Sequence, residues 1–201
     1  ETATGHCDNI NKVIEPVFKK NYGSIYYLNL SQDEYKLGGS SFSQITGNIG
    51  IETPTIKNPD FFKKTFNVIQ DIIRKDHIVA GHDIGSGGLI TSLLEMCFPS
   101  INVSANIDLS SLNENDTIKL LFSENCGVVL QSNSDEVEKI FKNHSIKFYK
   151  IGEVKSGNNL SLINNDQKLI FDIPKYRDIW YYTSTLLDKK QSANNLAEIR
   201  F

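Results

Sequence analysis

At 201 residues, with 39% hydrophobic residues, the chain is long enough to bury a substantial core and short enough to be one α/β body with extensions. Its net charge of -3, with 21 Lys and Arg against 24 Asp and Glu mixed along the sequence, provides neither a broad basic face for nucleic acid nor a polybasic membrane anchor. Three widely spaced cysteines, Cys7, Cys97 and Cys126, indicate neither a disulfide framework nor a zinc site.

No apolar run is long enough to span a bilayer, and the opening ETATGHCDNI lacks the charged start and apolar core of a secretory signal. The expectation is a soluble, cytoplasmic protein. An opening without Met and without pattern reads as a piece of something longer, or as the result of processing.

Residues 8–20 are mixed, with Pro16 interrupting any long helix, and read as part of a lead-in over residues 1–23. Residues 24–30, SIYYLNL, are β-branched and aromatic and form the first expected strand. Gly38 and Gly39 then break the pattern before a short helix over residues 40–45; this double glycine is either a plain turn or a small anion nest. Residues 58–75 form the clearest helix, capped by Asn58 or Asp60, with Pro59 in its first turn and Phe61, Phe62, Thr65, Phe66, Ile69, Ile72 and Ile73 as its core stripe.

The central stretch is HDIGSGGLITSLLEM, residues 82–96. A short apolar run, Ile78 to Ala80, delivers His82 and Asp83 to a turn of four small residues, Gly85, Ser86, Gly87 and Gly88, before Leu89 opens a helix. A strand, turn and helix of this kind offers unpaired N–H groups and a positive dipole end to an anion, while Asp83 could carry a divalent cation to the same phosphate. The plainer alternative is that the glycines only connect two elements, since neither GxGxxG nor GxxxxGK[ST] is present.

Downstream, residues 101–109 read as a strand and residues 113–123 as a helix with Ile118, Leu120, Leu121 and Phe122 inward. A buried strand follows over residues 127–131, then an amphipathic helix over 134–143 with a Ser cap and Val137, Ile140 and Phe141 on one side. Strands over 146–154, 160–164 and 168–173, joined by hairpin turns at 156–159 and 164–167, form a small closing meander. Pro174 starts a helix through Trp180 to Leu187, after which KKQSANNLAEIRF reads as a linker or docking tail. The expected division is therefore a lead-in over 1–23, a domain over 24–174, and a helix with tail over 175–201.

Several residues near the central turn are candidates for chemistry. Neighbours on a strand point to opposite faces, so His82 and Asp83 are not expected to bond each other, and His82 reads as a packing residue. Glu95 reads as a solvated or capping charge. Glu124, at a helix-to-strand junction, is either a ligand-facing carboxylate or a surface loop acid. Cys126 has no base near it in sequence to make it a nucleophile.

Four blocks in this order, LGGSSFSQ (37–44), AGHDIGSGGLITSLLEM (80–96), LFSENCGVVLQ (121–131) and Trp180-x-x-Thr183-Ser184 followed by Ala197-Glu198, resemble the last synthetase-type domain of the large single-chain phosphoribosylformylglycinamidine synthases. The resemblance runs over nearly the whole chain. It implies an α+β layered sheet-and-helix fold like the C-terminal domain of aminoimidazole ribonucleotide synthetase. It also implies membership of an ATP- and magnesium-dependent ligase that takes ammonia from glutamine and acts on formylglycinamide ribonucleotide in purine biosynthesis.

On that resemblance Asp83 is a Mg2+ ligand shared with acidic groups of another domain, and Gly85 and Ser86 lie at an ATP or ADP thought to be structural. The chain contains no catalytic residue of its own, and its partners are the ATP-binding synthetase domains and the glutaminase domain of the same polypeptide. Family members usually have Ser-Asp where this chain has Gly85-Ser86, so Gly85 offers a backbone N–H only. That departure leaves a second class open: a noncatalytic binding domain of the same fold with a degenerate site.

Overall fold

A computed structural model describes residue 7, residues 9–20 and residues 23–199, with the backbone of residue 200. Residues 1–6 and Asp8, which carry most of the argument about a missing secretory start, lie outside the described residues, as do Asn21, Tyr22 and Phe201.

The elements in chain order are β1 (Ser24–Asn29), α1 (Ser41–Ile45), α2 (Pro59–Arg74), β2 (Ala80–Asp83), α3 (Gly88–Cys97), β3 (Ser104–Asp108), α4 (Thr117–Phe122), β4 (Gly127–Ser132), α5 (Glu136–Asn143), β5 (Tyr149–Lys155), β6 (Asn159–Asn164), β7 (Gln167–Asp172), α6 (Ile173–Gln191) and α7 (Leu196–Arg200). Among the described residues the strands form one seven-stranded sheet in the order β2-β4-β1-β5-β3-β6-β7. Helices stack on the sheet in layers, which is the expected α+β arrangement.

Alternation along the strands divides the core in two. On one face Ile25 and Tyr27 of β1, Val129 of β4, Ala105 and Ile107 of β3 and Leu160 and Leu162 of β6 pack with Leu89, Leu93 and Met96 of α3 and Leu120 and Leu121 of α4. On the other, Tyr26 and Leu28 of β1 and Leu130 of β4 pack with Val68, Ile69 and Ile72 of α2 and Val137 and Phe141 of α5. This second layer covers only one end of the sheet. On the same side of the remaining strands, Asn106, Asp108 and Ile163 are exposed, and so is Ile170.

The closing meander is corrected. β3 lies between β5 and β6, antiparallel to the first and parallel to the second, and only β6 and β7 form a hairpin. Residues 156–158 pass across the start of β3, where the Gly157 N–H reaches the Asn102 carbonyl at 3.4 Å. Skipping one strand requires roughly 10 Å, which three extended residues can cover, so this hop uses the same Ser, Gly and Asn residues that a hairpin turn would.

Two helix stripes also shift. In α2, capped by the Asn58 side chain on the Phe61 N–H at 3.0 Å, Val68 takes an inward place and Phe66 is 49% exposed. α4 starts at Thr117 because Asp116 accepts from Ile118 and Lys119 and so caps it there, leaving Ile118 exposed. The lead-in runs along the β2 edge: Glu15 bridges Ala80, Phe18 is buried in the first core layer, and Gln131 exchanges two hydrogen bonds with the Lys19 backbone. The C-terminal residues after α6 form α7, in which Ala197 is buried.

Candidate functional site

β2 is an edge strand held only by β4 among the named strands, with His82 opposite Val129 and Asp83 opposite Val128. Ile84 then turns inward, its N–H donating to the Gly127 carbonyl at 2.9 Å, and the chain enters the small-residue turn.

The two halves of that turn differ. Gly87 and Gly88 have φ values of 87° and 74°, and a Cβ on Gly88 would stand 2.5 Å from the Leu121 carbonyl oxygen. Both positions require glycine for backbone conformation and for close approach, Gly88 to the α4 backbone and Gly87 to the Thr91 side chain of α3, which a Cβ there would meet. Gly85 requires it for neither reason: its φ is not positive and nothing lies within 4 Å of where a Cβ would stand. Gly85 and Ser86 are exposed.

Glu124 is the residue that sequence reasoning left undecided, and the structure gives it a definite place. Its Oε1 accepts from the Gly87 N–H and from the Ser41 N–H, each at 2.8 Å. One carboxylate therefore ties the N-terminal end of α3 to that of α1, and an internal anion already takes the Gly87 donor. Burial alone would raise the Glu124 pKa, but donation from Ser41 and Gly87 outweighs it and holds the carboxyl below its usual range. Phe42 stacks on Phe122 beside this junction with centroids 4.8 Å apart. Three of the four sequence blocks thus converge on Glu124, across separations of 37 and 83 residues that no local pattern records.

Asp83 points outward, its side chain 84% exposed. The expectation that His82 cannot reach it is corrected: His82 Nδ1 lies 2.7 Å from the Asp83 carbonyl oxygen and 3.4 Å from Oδ1. Asp83 is the last residue of β2, so strand alternation no longer separates the pair. Glu95 is corrected too. Its Oε2 is 3.2 Å from His82 Nε2 with its side chain 25% exposed, so it is a partner and not a solvated charge. Desolvation raises the Glu95 pKa, His82 opposes that rise, and the Asp83 charge adds to it. Ser92 Oγ donates to the Asp83 carbonyl at 3.0 Å, so α3 anchors the strand end from below.

Asp83 and His82 also line a largely apolar cleft of about 400 Å³ together with Phe66, Ile69, Ile73 and Leu130. Burial and the Asp83 charge raise the Cys126 pKa, which keeps its thiol protonated and fits the expectation that it is no nucleophile. The double glycine at 38–39 is a plain turn: the Gly38 and Gly39 N–H groups donate to the Glu52 and Ile49 carbonyls at 2.9 and 2.8 Å. Asp33, which no motif marked, is 8% exposed and fastens the loop carrying that turn through Lys36 at 3.0 Å, Lys57 at 3.6 Å and the Thr55 N–H at 2.9 Å.

Asp83 fits a magnesium ion as one ligand. Among the described residues no group of three His, Cys, Asp or Glu side chains could hold a metal. Magnesium commonly takes only one or two carboxylates, with phosphate oxygens and waters completing its shell, so a single outward carboxylate is a sufficient contribution from this chain. No helix among the described residues is long and apolar enough to cross a membrane.

Residues 25–164 match the family model described as AIR synthase related protein, C-terminal domain. A probable phosphoribosylformylglycinamidine synthase of Caenorhabditis elegans is 37% identical over 169 residues, which is 77% of this chain and 13% of that protein. The phosphoribosylformylglycinamidine synthase of Dictyostelium discoideum is 35% identical over 96% of this chain and 16% of its own length. The chain thus spans about a seventh of these relatives. Among solved structures, Thermotoga maritima PurL complexed with FGAR superposes with a TM-score of 0.63 at 12% identity, covering 84% of this chain and 30% of that one. T. maritima PurL complexed with ATP gives 0.60 at 13% identity, over 82% and 27%. At such identities the likeness is one of fold.

Proposed function

The chain belongs to the family of AIR synthase related proteins, C-terminal domain, and from that premise we propose that it is one module of a phosphoribosylformylglycinamidine synthase. In this reading the parent is an ATP-dependent carbon-nitrogen ligase that takes its nitrogen from glutamine and acts in the cytoplasm. The module has no catalytic residue and is inactive alone. It contributes a Mg2+ ligand, a nucleotide-facing turn and a docking surface for the ATP-binding and glutaminase domains. Residues 1–23 serve as the lead-in, 24–174 as the domain proper, and 175–201 as the helix and docking tail.

The observation that carries this reading is the outward carboxylate of Asp83 on a frame that nothing else leaves loose. His82, clamped between Glu95 and the Asp83 backbone, fixes the strand end, while Glu124 fixes the turn that follows. What remains accessible is the Asp83 carboxylate and the backbone of Gly85 and Ser86. Asp83 would hold a Mg2+ ion, which when bound would supply positive charge against nucleotide phosphate. Because Glu124 already accepts from Gly87, the anion-facing part of the turn is its first half, residues 85 and 86.

The test is Asp83→Ala in the full-length parent. Nucleotide released on denaturing the purified protein should fall well below one equivalent, while glutamine hydrolysis by the glutaminase domain changes little. Full occupancy in the variant would reject the role of Asp83. Absence of nucleotide from the unsubstituted parent would favour the other class, a binding domain whose site has degenerated at Gly85-Ser86.

A further inference from the structure

Helix α6 is anchored at one end only. Ile173 is 4% exposed, the Asp172 side chain caps the helix by accepting from the Lys175 N–H at 3.0 Å, and Trp180 meets Phe98 of α3 with ring centroids 6.4 Å apart. Along the rest of its 19 residues the polar and apolar sides are reversed from what a surface helix requires.

At roughly 100° per residue, Tyr176, Ile179, Trp180, Tyr182, Leu186 and Leu187 fall within one arc of about 160°. All six are exposed, Ile179 by 60%, Tyr182 by 57% and Leu187 by 57%. The opposite arc, which includes Arg177, Tyr181, Ser184, Thr185 and Asp188, faces a groove shared with Ala197 of α7, and Lys189 pairs with Glu198 of α7 at 3.3 Å. The short helix therefore covers part of the polar side, where Tyr181 is still 42% exposed, and leaves the aromatic side open. An apolar strip of this kind on a helix that projects from its own domain is characteristic of a surface that another surface covers.

Family matching ends at residue 164, before α6 begins at Ile173. The Dictyostelium match covers 96% of the chain, so it continues into α6, and that relative is about six times as long. The helix pair is thus an addition to the family domain that is shared with a long multidomain chain. We propose that the aromatic face of α6 is an interdomain contact, covered by another domain of the same long polypeptide that presents aliphatic and aromatic side chains. The tether supplies a high effective concentration, so the face needs no strong intrinsic affinity for its cover.

This rests on the reading of the chain as one module of a long synthase. A gene product no longer than this chain would overturn that reading itself, before any labelling is done. With the full-length product in hand, hydroxyl-radical footprinting reads Tyr182 directly, without substitutions. Its side chain should be oxidised at least about tenfold more slowly in the native parent than in urea. The protection should be independent of protein concentration, and Ile179→Asp with Leu186→Asp should abolish it and open the α6 segment to protease. Oxidation as fast as in urea overturns the proposal. Protection that disappears on dilution to monomers would assign the face to a second copy and overturn it equally.

Discussion

The two edges of the sheet carry different kinds of exposed group on different kinds of frame. At the β2 edge both faces are backed by helices, α2 on one side and α3 on the other, and a carboxylate and a polar turn reach solvent beside the cleft that Phe66 lines. At the β7 edge one face is bare, and large apolar groups reach solvent among the polar ones: Ile170 on the strand and the aromatic strip of the helix that follows. A ligand site must be held by its own domain before the ligand arrives, whereas a docking face can take its definition from the surface that covers it. The difference predicts where substitutions will cost stability and where they will cost only function.

The largest effect should come from the locked half of the turn. Gly88→Ala places a Cβ 2.5 Å from a backbone carbonyl at a φ of 74°, and backbone cannot swing aside as a flexible side chain can. A loss of about 3 kcal/mol or more is expected. Thermal unfolding should register it as a fall of roughly 6–12 °C, since about 2–4 °C corresponds to each kcal/mol in a domain of this size. An unchanged melting temperature would mean that α3 and α4 do not approach as closely as they do here.

Glu124→Gln comes next. The amide retains one carbonyl acceptor but loses the charge, so a loss of about 1.5 kcal/mol is expected, the lower end for hydrogen bonds to a charged group. The pH dependence identifies the cause. The folded-state pKa of Glu124 lies below its ordinary value, so its contribution is fully present above the unfolded pKa and is lost as pH falls through the folded one. Wild type and Glu124→Gln should therefore converge in stability as acid titrates the carboxylate. A constant gap at all pH values would show that shape, not charge, sets the junction.

How much of this was legible in the sequence follows the range of the interactions. Local chemistry read well: Asn58 with Pro59 marks the start of α2, the short helix expected over residues 40–45 is α1, and the central stretch is a strand, small-residue turn and helix in that order, its strand two residues later than the apolar run. Long-range pairing did not. The insertion of β3 between β5 and β6 changes no residue in any turn, and the partners of Glu124 are a backbone N–H 37 residues upstream and another 83 upstream. For the candidate site, spacing marked the turn and its acid but gave all four small residues the same reason for being small. Coordinates separate them, because φ and close approach constrain Gly87 and Gly88 and leave Gly85 free.

Exposed residues at the two edges should behave alike in stability. Asp83→Ala, on a side chain 84% exposed, and Ile170→Lys, on one 60% exposed, should each change unfolding free energy by no more than about 0.5 kcal/mol. Chemical denaturation of the nucleotide-free parent would check both, since bound nucleotide would itself add to the stability that Asp83→Ala removes. A large loss from Ile170→Lys would indicate that the bare face of the sheet is covered there, and the contrast between the edges would then have to be drawn at α6 alone.

The smallest energetic effect, and the most informative one, belongs to Gly85→Ser. Nothing lies within 4 Å of the Cβ it would add and no positive φ opposes it, so the folded state accommodates serine without adjustment. Replacing glycine also reduces the conformational freedom of the unfolded chain, so stability should stay level or rise by about 0.5 kcal/mol. The new hydroxyl would sit in the open half of the turn, two residues from Asp83, where a phosphate oxygen could accept from it. Tighter retention of ADP by the Gly85→Ser parent, with an unchanged melting temperature in the absence of nucleotide, would place the ligand at residues 85 and 86. Unchanged retention would move the phosphate away from this half of the turn and leave Asp83 as the contact this chain makes.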